Sequence, residues 1–466
     1  MDMKRTLRIA YAALALGALA LPAVLMPFQK HADTDNLPPA PTVKAADGGL
    51  NLHAGEEAEA YIADRFGLHD TLQSGYGLFS AQWLKTSAEP EVIVGHSGWL
   101  YGTDTAEDAI GAGRLSEDAL RHAVHVLELM RSYCVGHGSR LIFACAPDKV
   151  SVYPQYMPKR FVHTGGKNDL DGLMQAFTHA NITVCDLRKK LTDAAAESEY
   201  PLYYRRDSHW NGDGARTAFA ALMRSAGQDD RNIPAAQRLT DRTQEGDLWQ
   251  TLLPGVSNPE EAPYFGIPNE HTEAPDSTAT LRRTVQPHAK GSLLVLGDDF
   301  AEPMIPFFAE CFGEATFSLA MPYRIDLLET QPADYVFVEI AEKRIADLLA
   351  QAPVMPAPAA EKSGVLHELS GIAPPTAHTE AVGEYLHIYG DFDARYSDHE
   401  AVLITLGSGE TYEAFPCCET ALMGLEAPQS NCYSLYLPAD ALAGETEIEI
   451  AVIRDRETYL LGRAEF

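Results

Sequence analysis

Residues 140–146 read Arg140-Leu141-Ile142-Phe143-Ala144-Cys145-Ala146, and Pro147-Asp148-Lys149 ends the run. An unbroken apolar stretch of this length, stopped by Pro-Asp, is the pattern of a strand covered on both faces, as in a parallel sheet. Similar short runs recur at 91–94, 182–185, 293–296 and 335–340. Helical patterns lie between them. Ser116 caps one, Glu117 and Asp118 fill its first turn, and Leu120, Val124, Leu127 and Met130 mark one apolar face. Further helices are expected near 168–180, 212–226 and 303–312. This alternation predicts an α/β fold over 56–350, a three-layer α/β/α domain with a mainly parallel sheet.

The pattern changes on either side. Residues 29–55, rich in Pro, Ala, Asp and Gly, read as a linker, and a helix is expected from Glu56 onward. Residues 351–363 form a Pro/Ala linker, expected to be stiff and extended. Beyond it, runs at 385–389, 401–406, 433–437 and 447–453 have the two-residue period of half-buried strands. Residues 364–466 are therefore expected to be an antiparallel β-sandwich, a candidate carbohydrate-binding module.

The 466 residues hold 36 Lys+Arg and 66 Asp+Glu, a net charge of −30. That argues against nucleic acid as a partner, because phosphates need a basic face. The first 30 residues run the other way. Lys4, Arg5, Arg8 and Lys30 stand against Asp2, and residues 9–28 carry no charge. Twenty apolar residues in a helix span about 30 Å, a bilayer core. The basic flank would stay cytoplasmic. The segment is read as an uncleaved membrane anchor, or as a signal peptide ending after Ala20. Both readings put the body outside the cytoplasm, membrane-attached or secreted. The seven cysteines show no metal-ligand spacing. Cys145 and Cys185 read as core residues. A bridge from Cys417 or Cys418 to Cys432 suits an extracytoplasmic chain.

Two segments carry chemistry. In Tyr204-Arg205-Arg206-Asp207-Ser208-His209-Trp210, an Asp two residues before a His can fix the imidazole tautomer and stabilise the imidazolium. In Leu296-Gly297-Asp298-Asp299-Phe300, a strand ends and turns into a helix, the position where parallel sheets bind ligands. Trp210 reads as either a site or a packing residue, Arg206 as an anion contact or a solvated loop residue, and Lys149 as a border residue at its strand end.

These motifs resemble the SGNH-hydrolase-like proteins of exopolysaccharide O-acetylation, the AlgX/AlgJ-like group and its DHHW-family relatives. Gly95-His96-Ser97-Gly98-Trp99-Leu100-Tyr101, Pro147-Asp148-Lys149 with Tyr153-Pro154, Asp207-Ser208-His209-Trp210, Gly246-Asp247-Leu248 and Gly297-Asp298-Asp299-Phe300 follow the family's order. The resemblance implies acetyl transfer or ester hydrolysis on a cell-surface polysaccharide, with Asp207 orienting His209 and no cofactor. It also implies a membrane-bound O-acyltransferase partner. Tyr204, Arg206, Trp210, Lys149, Gly297 and Asp298 become candidate substrate contacts. At the nucleophile position, however, the family's Ser is Asp299. A carboxylate there would form a hydrolysis-prone mixed anhydride and keep His209 protonated. The alternative is a catalytically inactive glycan-binding or scaffold relative. A lower alternative is a metal-dependent hydrolase with Asp207, His209, Asp298 and Asp299 as ligands.

Overall fold

Strand 140–146 forms where its apolar run demands it, as β3 (Arg140–Ala146), after β1 (Val92–Val94) and β2 (Leu100–Gly102). The computed structural model describes residues 86–466 except 111–113, 162–166, Asn232 and Ala443. Before residue 86 it describes 11, 16–17, 20–21, 24, 40–42, 44, 51, 54–65 and 75–80. Apart from six positions, the expected anchor at 9–28 lies outside the described residues. Among those residues no helix is long and apolar enough to cross a membrane.

The chain packs as two bodies, Met1–Val92 with Trp249–Asn258, and Ile93–Leu248 with Pro259–Phe466. The first holds α1 (Ala54–Arg65), where the acidic helical pattern was expected. Its Trp249 Nε1 donates to the Val256 carbonyl at 2.7 Å.

The second body is built on a seven-stranded sheet. Its other strands are β4 (Thr183–Cys185), β5 (Thr272–Glu273), β6 (Leu281–Val285), β7 (Ser292–Leu296), β8 (Glu314–Ser318) and β9 (Tyr335–Ala341), in the order β4-β3-β9-β7-β8-β6-β5. The five strands from β4 to β8 run parallel. β6 and β5 add an antiparallel edge, so the sheet is mixed. Alternate residues of β3 and β7 feed two separate cores. Ile142, Ala144, Leu293 and Val295 pack with α4 (Gly212–Ala226) and α5 (Ile305–Cys311). Leu141, Phe143, Leu294 and Leu296 pack with α2 (Glu117–Gly136). Ser116 caps α2 by accepting from the Ala119 N–H. Helix α3 (Leu187–Glu197) was not expected; only Leu187 and Leu191 of it are buried.

The C-terminal region is β-rich. One sheet holds β10 (Leu366–Glu368), β13 (Ala401–Leu406), β14 (Thr411–Ala414), β16 (Glu447–Arg454) and β17 (Glu457–Glu465). The other holds β11 (His378–Val382), β12 (Tyr385–Asp391) and β15 (Cys432–Pro438). Their inward residues, Ile388 and Leu435 against Val402, Ile404 and Ile450, share one core. The arrangement is not wholly antiparallel, since β10 runs parallel to β17. A disulfide joins Cys418 to Cys432. The segment read as a Pro/Ala linker is packed rather than free. Ala352, Val354 and Met355 are buried, and the Ala357 N–H donates to the Tyr436 carbonyl.

Candidate active site

The D-x-H segment sits on a tight loop. Tyr203 bridges Trp210, and the Asn211 N–H donates to the Leu202 carbonyl, so residues 204–209 close on themselves. The Asn211 side chain caps α4. Asp207 faces inward. Its Oδ1 accepts from His209 Nδ1 at 2.8 Å and from the His209 N–H at 2.9 Å. Its Oδ2 accepts from Gln244 Nε2 at 3.0 Å and from the Asp247 N–H at 3.2 Å. Asp247 in turn accepts from the Ser208 N–H at 2.8 Å and from the Ser208 hydroxyl.

The second segment arrives from the end of β7. Gly297 is required there, because a Cβ would lie 2.8 Å from the Ala301 Cβ and 3.0 Å from Glu339 Oε2. Asp298 turns inward, accepting from the Phe300 N–H at 3.0 Å and the Ala341 N–H at 2.9 Å. That turn directs Asp299 outward, its side chain 62% exposed, with Oδ2 3.0 Å from His209 Nε2. The Phe300 ring lies beneath the imidazole at 4.9 Å and meets Trp210 edge-on at 5.0 Å.

Electrostatics follow from this geometry. Burial alone would lower the His209 pKa. Hydrogen bonds to Asp207 and Asp299 outweigh it and raise the pKa to about 10. The bond from His209 holds Asp299 below its ordinary value. Burial would raise Asp207, but its hydrogen bonds with His209 leave it lowered. The imidazole is thus a cation donating from both nitrogens. It has no lone pair for a proton, and the group at the nucleophile position is an anion with no proton to release.

The other expected contacts divide. Tyr204 and Trp210 border a cavity of 730 Å³ with His209 and Asp299, and Tyr264, Phe265, Phe307, Arg242 and Glu302 complete much of its wall. Trp210 is only 1% exposed and offers little beyond an edge. Arg206 lies 3.9 Å from Glu260, away from the cavity wall. Asp298 and Gly297 shape the turn from inside. Lys149, expected at the site border, is 3% exposed. Its Nζ donates to the carbonyls of Tyr204 (3.3 Å), Arg205 (3.3 Å) and Asp207 (2.7 Å). Burial pushes its pKa down to about 7, against the pull of Asp247, Asp207 and Glu260. Gln244 and Asp247 were not read as site residues. The Gly246-Asp247-Leu248 motif was the one signal for Asp247.

Asp207, His209 and Asp247 have ligand atoms within 4.8 Å of one another, a spacing a metal ion could use. Asp298, a member of the expected ligand set, faces β9 instead of the imidazole.

Residues 92–301 match the family model for the SGNH hydrolase-like domain, acetyltransferase AlgX. This segment is similar to the AlgX-type, SGNH-hydrolase-like domain. The resemblance expected from the motifs is therefore shown at sequence level. The chain is 26% identical over 271 residues to the probable alginate O-acetylase AlgJ of Pseudomonas putida, covering 55% of this chain and 66% of that protein. It is 27% identical over 263 residues to the AlgJ of Pseudomonas syringae pv. tomato, covering 54% and 62%. The chain thus spans just under two thirds of these relatives. Among solved structures, a DHHW family protein from Eubacterium siraeum aligns with a TM-score of 0.42 at 14% identity, over 55% of this chain and 95% of that one. The O-acetyltransferase domain of Pseudomonas putida AlgJ aligns at 0.38 and 17%, over 55% and 92%. With TM-scores this low, the structural alignments bear on neither mechanism nor ligand. The AlgX-type segment ends at 301, just past Asp299 and Phe300.

Proposed function

We propose that this chain is an extracytoplasmic protein of cell-surface polysaccharide O-acetylation whose AlgX-type site binds glycan without forming an acyl-enzyme. The observation that carries this reading is the 3.0 Å contact between His209 Nε2 and Asp299 Oδ2. It fills the place of a Ser–His hydrogen bond with an ion pair. Acyl transfer of the Ser–His type needs a hydroxyl and a neutral base, and this pair supplies neither. The cavity beside it has the aromatic walls and sparse polar groups of a ligand site. On this reading the segment at 9–28 holds the body at the membrane, where a membrane-bound O-acyltransferase is its partner and a polysaccharide its ligand.

A second reading is acetyl transfer or ester hydrolysis with Asp299 as the attacking group: its carboxylate oxygen bonds the acetyl carbon as the ester C–O bond breaks, and water or a glycan hydroxyl then takes the acetyl group from the mixed anhydride and frees the carboxylate. The exposure of the Asp299 side chain favours it, together with an imidazolium poised to protonate a leaving alkoxide.

The test is turnover of an activated acetyl ester by the full chain. The first reading expects none in the wild type, gain of turnover in Asp299→Ser, and its loss again in Asp299→Ser with His209→Ala. Wild-type turnover that is abolished by His209→Ala would establish the second reading and overturn the first. Wild-type turnover that falls with a chelator would overturn both in favour of metal-dependent hydrolysis.

A further inference from the structure

Lys149 lies buried under the D-x-H loop, in a position that suits an ammonium. The carbonyls of Tyr204, Arg205 and Asp207 converge on one point, with their dipoles opposed. An ammonium has three N–H groups and no acceptor, so Lys149 matches three carbonyls one for one. Its Nζ lies over the rings of Trp99 at 5.7 Å and Tyr101 at 5.1 Å, both buried, which exclude water from the contact. From the other side, Glu260 accepts the Arg205 and Arg206 N–H groups at 2.8 Å each. The loop is therefore clamped between a cation inside and a carboxylate outside. The charged groups facing Lys149 are Asp207, Asp247 and Glu260.

We propose that Lys149 is a positioning residue, the inner pin that holds the 204–207 backbone so that Asp207 reaches His209 Nδ1. It makes no hydrogen bond to the imidazole and does not line the cavity, and acts through the loop backbone alone. The inference does not depend on whether the site turns over an ester, since it concerns the Asp207–His209 contact itself.

The experiment is the ¹⁵N NMR shift of the His209 ring in the full chain, with His209→Ala for assignment and Asp207→Asn as the reference for a lost contact. Measured below pH 7, where the ammonium is intact, the Lys149→Met variant is expected to move the Nδ1 signal to its Asp207→Asn position. A packing role alone would lower the melting temperature and leave that signal in place. A folded Lys149→Met with the wild-type signal overturns the proposal. Lys149→Gln, which keeps two donors, is the second variant, with the same two outcomes.

Discussion

His209 and Asp299, 90 residues apart in the chain, meet at 3.0 Å, with Asp207 on the far side of the same imidazole at 2.8 Å. One ring is therefore held between two carboxylates. The consequence for stability has a definite sign. The folded His209 pKa, about 10, lies above its unfolded value of 6.5. Its stabilisation is complete below pH 6.5 and disappears as the pH rises through 10. Asp299 and Asp207 are lowered, so their share is present above the ordinary carboxylate range and is lost in acid. Asp299→Asn is expected to cost stability near pH 6 and progressively less toward pH 10. Urea denaturation across that range measures it, and a cost independent of pH would rule out the ion pair.

Gly246 packs against the backbone of the D-x-H loop. A Cβ there would lie 2.2 Å from the Arg206 carbonyl oxygen and 2.4 Å from its carbon, backbone atoms that cannot swing aside. Gly246→Ala should destabilise by about 1–3 kcal/mol through overpacking. It should also disturb the Asp247 contact to Asp207. Thermal denaturation and the His209 ring signals would show both effects together.

His122 on α2 stacks on His399 of the C-terminal region at 4.2 Å, and its Nε2 lies 3.1 Å from the His399 carbonyl oxygen. Burial lowers the His122 pKa to about 4 and holds His399 well below its ordinary value. The unfolded chain thus binds protons more readily than the folded one below pH 6.5, and stability should fall from there toward pH 4. Three neighbours on α2 also act on the pair: Arg121, Asp118 and His125, the last raised to about 9 by Glu128 and Glu413 despite its burial. His399→Phe is expected to flatten this acid limb in a stability-against-pH profile. An unchanged slope would assign it to other groups.

The Cys418–Cys432 disulfide closes a 14-residue separation. In the chain-entropy picture a loop of that size is worth about 3 kcal/mol. Cys418 also donates its N–H to the Leu349 carbonyl, and Glu419 accepts from the Ala352 N–H. Reduction, or Cys432→Ser, should lower the melting temperature and speed hydrogen exchange of the Ala352 amide.

Much of the fold was legible because its central strands are unbroken apolar runs. β3 and β7 fall where the sequence put them, and α4 matches the expected 212–226. The elements that were missed carry weaker patterns. Leu187–Glu197 buries two leucines and little else, and Glu314–Ser318 alternates too briefly to declare a strand. In the site, Asp207 and His209 were legible because two residues of spacing bring them together locally. Gln244 and Asp247 reach the same carboxylate from 37 and 40 residues away, which spacing cannot reveal. Lys149 shows the converse limit: its place at a strand end was readable, its burial under the loop was not.

The order of strands has a cost in time. β9, the strand between β3 and β7, is synthesised after both of them and after every residue of the Asp207–His209–Asp299 trio. Until residues 335–341 emerge and insert, β3 and β7 have no common partner, and the two halves of the trio hang on separate pieces of sheet. Parallel pairings over such long separations form slowly. The imidazole and its second carboxylate are therefore joined through a strand that contributes no residue to either of them.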